Sequence, residues 1–287
     1  MDYNYDTTKL LTINKNSNYL IGTLYLAAQK NIMNAPYYGV EYDKNAIDVT
    51  KINLCKKATN GCAFSCIYHQ GILKTSDFAK NKIKIARIKR TFKFLLQRDA
   101  FFIQLIKEIV SLQKRALKLG LTLAISLNGT SDILWEKENF TFQENSFDNI
   151  MSYFNEIQFF DYTKYDILKS RKKLPLNYHL TYSRAGLHKG QMVEDWKFLK
   201  NLLDKQIDVC VICNKKMKNT LLEYSSFSGY KIIDADLLHC RAADIHHREN
   251  NKGLILIQEA ARKTDINNSE FIIQTQEEFN KYFSASN

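Results

Sequence analysis

Three cysteines lie close together in the stretch CKKATNGCAFSC, which covers residues 55–66 of a chain that has 6 cysteines in all. Their thiolates are soft ligands, and three thiols cannot all pair with one another in disulfides. Three interpretations are therefore open: a metal site, a disulfide with one cysteine left over, or a coincidence. Because clustered cysteines in a reducing compartment bind metal more often than they form disulfides, the metal site is favoured.

The spacing of Cys55, Cys62 and Cys66 separates two kinds of metal site. A zinc finger has paired short spacings and four ligands, whereas the pattern C-x6-C-x3-C stands alone. His69 would complete a zinc site of three cysteines and one histidine. An iron–sulfur cluster held by three thiolates leaves one iron open to another ligand. We predict an iron–sulfur cluster on the three cysteines, its fourth position open or filled by His69 or Cys240.

The other cysteines are expected to have different roles. Cys210 and Cys213 lie in the apolar run DVCVIC, where strand alternation sends them to opposite faces. We predict that they are small core residues and not ligands. Cys240 follows a predicted strand and stays a weaker candidate for the cluster.

Two helical patterns follow the cysteines, the first with Ile85, Ile88, Phe92 and Leu95 at helical spacing, and after Gly120 short apolar runs alternate with helical stretches. A long apolar stripe predicts a helix that ends near Gly120, which has the position of a C-cap. Residues 10–28 fit either a hairpin or a strand followed by a helix. We predict further helices over 147–157 and 191–206, and strands over 121–127, 158–163, 178–183, 208–213, 230–236 and 253–258.

Nearly continuous apolar strands separated by helices indicate parallel pairing with both faces covered. The predicted fold class is therefore α/β, either an open doubly wound sheet or a partial or complete (β/α) barrel. We assign residues 51–287 to this barrel-like domain and residues 1–50 to an N-terminal extension packed on it.

Polar residues follow several predicted strands, which favours the barrel. In a (β/α) barrel such strand ends meet at one rim, where these folds carry their chemistry. Asp161, Lys164 and Asp236 are the predicted catalytic residues, because carboxylates and amines can move protons. The remaining polar residues at these strand ends are Asn128, Gly129, Thr130, Ser131, Asp132, Thr163, Ser183, Arg184 and Asp234.

A metal-dependent hydrolase is an alternative, with Asp132, Asp161 and Asp236 as ligands of a hard cation. The sequence DIHH, residues 244–247, offers more potential ligands. It lies in a predicted polar loop before the last strand, and we expect its side chains to face solvent.

Composition limits the class of protein. Hydrophobic residues make up 45% of the 287, enough for a sizeable core, and neither a signal peptide nor a membrane span is recognisable. The net charge is +11, and residues 74–98 contain nine basic residues and one acid, Asp77. This stretch, with Phe92 and Phe94, would suit phosphates and stacked bases. A nucleic-acid-binding protein with a structural iron–sulfur or zinc site is therefore the alternative function.

The order of a three-cysteine loop, a helix and repeated β/α units resembles the radical S-adenosylmethionine enzymes. The resemblance implies a [4Fe–4S] cluster on Cys55, Cys62 and Cys66, with S-adenosylmethionine at the open iron. The spacing departs from the family's usual C-x3-C-x2-C, and "LNGTSD" replaces its glycine-rich motif. The residues that the resemblance implies for the cofactor are Asn128, Ser131, Asp132, Ser183 and Arg184.

Several stretches also resemble a family of bacteriophage proteins, the "gene product eighty-eight"-like group. They are "GCAFSCIYHQG", "ARIKRTF", "SLNGTSDILWE", "DYTKY", "LTYSRAG" and "DADLLHCRAADIH" followed by "KGLILIQEAAR", in order over residues 52–262. The resemblance implies a viral or prophage origin and therefore a location in the host cytoplasm. It brings no established activity.

Overall fold

The longer parallel strands form where the sequence has short apolar runs. The protein is described by a computed structural model covering residues 3–66, 77–237, 240–260 and 271–283. Its strands are β1 (Leu11–Lys15), β2 (Tyr19–Leu24), β3 (Thr122–Ser126), β4 (Phe140–Phe142), β5 (Asn145–Phe147), β6 (Gln158–Thr163), β7 (Tyr178–Ser183), β8 (Leu187–His188), β9 (Gln191–Met192), β10 (Val209–Cys213), β11 (Ser226–Phe227), β12 (Tyr230–Asp234) and β13 (Ile255–Glu259).

The helices lie between these strands in the chain, except for the last helix, which follows β13. They are α1 (Gln29–Met33), α2 (Asn60–Phe64), α3 (Asp77–Leu96), α4 (Arg98–Lys118), α5 (Ile150–Tyr153), α6 (Ile167–Ser170), α7 (Trp196–Asp204), α8 (Lys215–Glu223) and α9 (Gln276–Phe283). A 3₁₀ segment, Arg241–His247, precedes β13. None of the described helices is both long and apolar enough to cross a membrane.

The chain divides into two compact units. Unit 1 contains Met1–Lys56, Gly71–Asp161 and Leu174–Tyr178, and unit 2 contains Lys57–Gln70, Tyr162–Lys173 and His179–Asn287. Both have an α/β architecture with mostly parallel strands, which confirms the predicted fold class at that level.

In unit 1 the strand order is β1-β2-β3-β6. The first pair is an antiparallel hairpin, which decides between the two interpretations of residues 10–28, and β2, β3 and β6 run parallel. The long helices α3 and α4 contact each other, and α4 also contacts β2 and β3. Ile88 and Phe92 of α3 are fully buried against residues of the N-terminal fifty, such as Tyr5 and Ile32. The helix therefore contributes an apolar face to the core of this unit.

In unit 2 the strand order is β7-β10-β13-β12-β11, parallel except for the last pair. Val209, Val211 and Ile257 are completely buried, as expected for parallel strands covered on both faces. The carboxyl ends of parallel neighbours lie on the same side of a sheet. Side chains that follow β7, β10, β12 and β13 are thereby gathered at one edge of this unit.

The predicted barrel is not confirmed. Among the described residues, β1 pairs only with β2 and β11 only with β12, so neither series of strands closes on itself. Two predicted helices were also too long. Residues 147–157 contain only the short helix α5 after a β4–β5 hairpin, and the helix predicted over 191–206 begins at Trp196, where the Asp195 side chain caps it.

Candidate functional site

The loop after β3 is organised by Asn128. Its side-chain oxygen accepts hydrogen bonds from Ser131 Oγ (2.8 Å), Ile133 N (2.9 Å) and Trp135 Nε1 (3.1 Å). Its amide nitrogen donates to the Ile133 carbonyl over 2.9 Å. These contacts use the hydrogen-bonding capacity of the Asn128 amide inside the loop itself. Asn128, Ser131 and Asp132 are buried and lie on one loop, and their predicted contact with a cofactor stays a prediction.

Asp161, a residue of β6 that belongs to unit 1, holds the same loop. One carboxylate oxygen accepts from Ser126 Oγ (2.7 Å) and Asn128 N (2.8 Å), and the other accepts from Tyr178 OH (2.8 Å). A buried carboxylate satisfied by several donors stabilises the backbone around it. Its predicted catalytic role is untested, whereas its structural role is evident from these bonds.

Cys55 approaches this loop inside unit 1. Its Sγ lies 3.7 Å from the carbonyl oxygen of Thr130, and the backbone N–H of Asp132 donates to the Leu54 carbonyl over 2.7 Å. Gly129 allows the loop to come this near to β2, because a Cβ there would lie 2.8 Å from the Leu24 carbonyl oxygen. The first cysteine and the predicted cofactor loop are thus neighbours.

Cys62 and Cys66 belong to unit 2. Cys62 lies in α2, whose first turn is capped by Thr59: the Thr59 hydroxyl accepts from Cys62 N over 3.2 Å. The same hydroxyl donates to the Ala185 carbonyl over 2.8 Å, just after β7. All three cysteines of residues 55–66 are partly exposed, and His69 lies outside the described residues.

Lys164, Ser183 and Arg184 come together in unit 2. The Lys164 ammonium donates to Ser183 Oγ (3.0 Å) and to the carbonyl oxygens of Ser183 (3.2 Å) and Arg184 (3.0 Å). The guanidinium of Arg184 is buried, donates to the Phe271 carbonyl and lies 4.3 Å from the ring centre of Tyr282.

Glu194 lies beside this group. Its carboxylate accepts from the backbone N–H groups of Ala185 (2.8 Å) and Gly186 (3.0 Å). Burial raises the pKa of Glu194, and the backbone N–H of Gly186 and the charge of Arg184 offset only part of that effect. The backbone of the loop after β7 is therefore held by a carboxylate that is largely buried from solvent.

Asp236, the third predicted catalytic residue, pairs with Lys218 of α8. The Lys218 ammonium lies 2.6 Å from Asp236 Oδ2 and 2.8 Å from Asp234 Oδ1. The same Asp236 oxygen accepts from Glu259 N over 2.9 Å. Asp234 and Asp236 thus share one cation after β12.

A second polar cluster in unit 2 was not predicted. Nε2 of His179 on β7 lies 3.1 Å from Oδ2 of Asp208, which precedes β10. Asp244 of the 3₁₀ segment completes the set: the ligand atoms of the three residues all lie within 4.8 Å of one another. We call these three residues the His–Asp–Asp cluster. Asp208 and Asp244 have completely buried side chains, and that of His179 is 14% exposed.

Two arginines flank the cluster. Arg248 binds Asp208 with Nε at 3.1 Å from Oδ1 and Nη2 at 2.9 Å from Oδ2, and Leu254 N donates to Oδ1 over 2.9 Å. Arg241 Nη1 lies 3.4 Å from Asp244 Oδ2. Among the described residues, neither oxygen of Asp244 has a hydrogen-bond partner.

The pKa values of the two carboxyl groups are shifted in opposite directions. Burial by itself would raise the pKa of Asp208, but its polar contacts with His179 and Arg248 outweigh burial, and the pKa is lowered. Burial raises the pKa of Asp244 to about 7, because the attraction of Arg241 is too weak to offset it. The expectation that the DIHH side chains face solvent was therefore wrong for Asp244, which is completely buried, and confirmed for His246 and His247.

In the basic stretch 74–98, the side chains that the structure describes, those of residues 81–98, are only partly exposed. Arg87 and Lys93 are buried: Lys93 binds Asp6 and Gln104, and the Arg87 guanidinium lies 5.1 Å from the ring centre of Tyr25. Phe92 and Phe94 are also buried in the core of unit 1. The expectation that these two rings could stack on bases was wrong, because their faces are covered by protein.

Cys210, Cys213 and Cys240 are buried, which confirms the core role predicted for the first two. Cys210 packs with Ala235, Leu254 and Leu256. Burial raises the pKa of the Cys210 thiol to about 12 and raises that of Cys213 as well. Thiols of this kind stay protonated at neutral pH and are poor metal ligands.

Comparison with known proteins identifies the family of the chain. The profile of the family described as gene product 88 matches residues 9–274, well over half of the chain. No curated protein and no solved structure matches significantly. The match agrees with the family resemblance of the stretches between residues 52 and 262, and it extends into the N-terminal fifty residues. The chain belongs to the gene product 88 family.

Proposed function

We propose that the protein is a phage-type iron–sulfur protein in which Cys55, Cys62 and Cys66 hold a [4Fe–4S] cluster. The observation that carries the proposal is the division of the six cysteines by exposure. The three in residues 55–66 are partly exposed, and the other three are buried. Cluster assembly needs thiols that iron can reach, which favours the first group.

The surroundings of these cysteines support the proposal. Cys55 lies beside the loop after β3, and the segment with Cys62 is hydrogen-bonded to Ala185 after β7. In each unit a thiol-bearing segment is thus attached to a polar loop at the end of a parallel strand. Loops of this kind bind ligands in α/β folds.

A cluster with three protein ligands leaves one iron for a small molecule, and we propose S-adenosylmethionine, as in a radical-SAM-like enzyme. Asn128, Ser131 and Asp132 in unit 1, and Ser183 and Arg184 in unit 2, are the proposed cofactor contacts. Asp161, Lys164 and Asp236 are the proposed catalytic groups, and the host cytoplasm is the proposed location. Binding to nucleic acid through residues 74–98 is less favoured, because Arg87 and Lys93 are buried there.

Anaerobic purification tests the cluster. We expect a brown protein with about four iron and four sulfide per chain, as the cluster's formula requires. Each of the variants Cys55→Ala, Cys62→Ala and Cys66→Ala should lose most of its iron, and Cys210→Ala should keep it. Full iron retention in Cys62→Ala would refute the assignment.

The ligand is tested separately on the reconstituted protein. S-adenosylmethionine at the open iron should change the electron paramagnetic resonance spectrum of the reduced cluster and give heat in calorimetry. An unchanged spectrum without heat would leave a cluster that only stabilises the fold.

A further inference from the structure

The His–Asp–Asp cluster plays no part in the proposed iron–sulfur function, and its chemistry points to another ligand. It combines one imidazole with two carboxylates from three separate segments of unit 2. We propose that His179, Asp208 and Asp244 bind a single divalent first-row transition-metal ion, such as Mn²⁺ or Zn²⁺.

The distances fit one ion. Imidazole nitrogen and carboxylate oxygen atoms lie about 2.0–2.2 Å from a bound Zn²⁺, so two ligands of one ion are at most about 4.4 Å apart. The ligand atoms of the three residues lie within 4.8 Å of one another, and His179 Nε2 is 3.1 Å from Asp208 Oδ2. Small side-chain rotations bring all three atoms into coordination range.

A second observation is independent of this spacing. Asp244 is completely buried, yet within the described part of the chain both of its oxygens lack a hydrogen-bond donor. Nε2 of His179 likewise has no partner with hydrogen-bond geometry. Leaving a buried carboxylate without partners costs free energy, and coordination to a cation would supply what is missing.

The neighbouring arginines act as supports. Leu254 N and Arg248 Nε use Oδ1 of Asp208, and Arg248 Nη2 takes one of the two lone pairs of Oδ2. The second lone pair of Oδ2 remains for a metal. Partners that hydrogen-bond a ligating carboxylate fix its orientation. Because Arg241 and Arg248 also offset the carboxylate charge, we expect weaker binding than in a site without them.

The ligand set selects the kind of ion. Imidazole and carboxylate ligands suit Mn²⁺ and Zn²⁺, whereas soft thiolates suit iron–sulfur clusters and Cu(I). Mn²⁺ is therefore the better probe, since it has little preference for the thiols of residues 55–66 and reports on the His–Asp–Asp cluster alone.

The experiment is a Mn²⁺ titration of the full chain, followed by the electron paramagnetic resonance signal of free Mn²⁺. We expect one Mn²⁺ per chain in the wild type and at least a tenfold loss of affinity in Asp244→Asn and His179→Gln. The exposed residues Asp148 and His188 provide matched controls, and Asp148→Asn and His188→Gln should bind as the wild type does.

Three outcomes would overturn the proposal: no Mn²⁺ binding by folded wild-type protein, undiminished binding by Asp244→Asn, or loss of binding in Cys62→Ala. Circular dichroism of each variant shows whether it is folded. If His179→Gln does not fold, Asp244→Asn decides alone. Because Cys62→Ala should lose iron and keep Mn²⁺, failure of the iron–sulfur proposal and failure of this one are distinguishable.

Discussion

The loop around Asp161 in unit 1 and the His–Asp–Asp cluster in unit 2 are both buried and polar, yet they are satisfied differently. Asp161 accepts hydrogen bonds from the side chains of Ser126 and Tyr178 and from the backbone of Asn128. Asp244 has an arginine at 3.4 Å and no hydrogen-bond donor among the described residues. Burial alone therefore does not distinguish a structural carboxylate from one that could bind a ligand. The number of hydrogen-bond donors around the carboxylate does.

The difference assigns separate tasks to the two regions. The network of Asp161 and Asn128 shapes the loop next to Cys55, so its effect on a bound cofactor would act through loop geometry. The His–Asp–Asp cluster has unused acceptor capacity, which suits direct contact with a cation. Substitutions that preserve side-chain shape should separate these roles.

The largest effect is expected for Asp161→Asn. One amide nitrogen would replace an oxygen that accepts hydrogen bonds, so donors would face a donor in a buried site. We expect a loss of about 3 kcal/mol in the free energy of unfolding. Urea unfolding measures it, with Asp148→Asn as the exposed control. A loss no greater than in the control would mean that the network does not hold the loop.

Gly129→Ala is expected to cost less. Its Cβ would lie 2.7 Å from Thr23 Cγ2 and 2.8 Å from the backbone oxygen of Leu24, which has little room to move. The loss of stability should be about 2 kcal/mol, typical of overpacking. Thermal unfolding measures this loss. Gly39→Ala is not a suitable control, because Gly39 has a left-handed backbone conformation (φ 69°) in which alanine would be strained. Unchanged stability would show that the loop can withdraw from β2.

Glu194→Gln should alter the pH dependence of stability. Because burial raises the pKa of Glu194, the folded chain holds this proton more tightly than the unfolded chain. The associated stability is present below the ordinary glutamate pKa of about 4.3 and is lost as the pH rises through the raised value. Glutamine keeps an acceptor for the backbone N–H groups of Ala185 and Gly186 and removes this loss of stability. Urea midpoints compared across that pH interval test it, and parallel curves for the two proteins would contradict it.

The smallest effect is expected for Asp244→Asn without added metal. The substitution removes a buried charge and the attraction of Arg241, and these changes oppose each other. The free energy of unfolding should change by no more than about 0.5 kcal/mol in chelator. Excess Mn²⁺ should then raise the melting temperature of the wild type and not that of the variant, as measured by differential scanning fluorimetry. A large loss in chelator would make Asp244 a structural residue like Asp161.

The strands were the best-predicted part of the fold. QFFDYT and YHLTYS are strands over their full length, because a continuous apolar run between helices has few alternatives to a buried parallel strand. The helix predicted over 147–157 is much shorter in the structure. Residue 147 belongs to β5 of the β4–β5 hairpin, and α5 ends in a turn after Tyr153. The periodicity of apolar residues within a short stretch does not show whether that stretch pairs with another strand.

The sites were predictable to a smaller extent. Asn128, Ser131 and Asp132 stand together in sequence, and their common loop follows from that. His179, Asp208 and Asp244 are separated by 29 and 36 residues, so only strand order brings them together. The available signals were weak: an aspartate directly before the apolar run of β10, and a histidine at an otherwise apolar strand position.

The order in which the chain is synthesised gives the division into units a further consequence. Residues 57–70, with Cys62 and Cys66, are synthesised more than a hundred residues before the main part of their unit, which begins at His179. The Ala185 carbonyl that anchors Thr59 is made 126 residues later. Contacts so distant in sequence form slowly, and a unit cannot close before its last segment exists. The segment with Cys62 and Cys66 can therefore reach its anchored position only after residue 185 has been synthesised, so any loading of iron would follow the folding of unit 2.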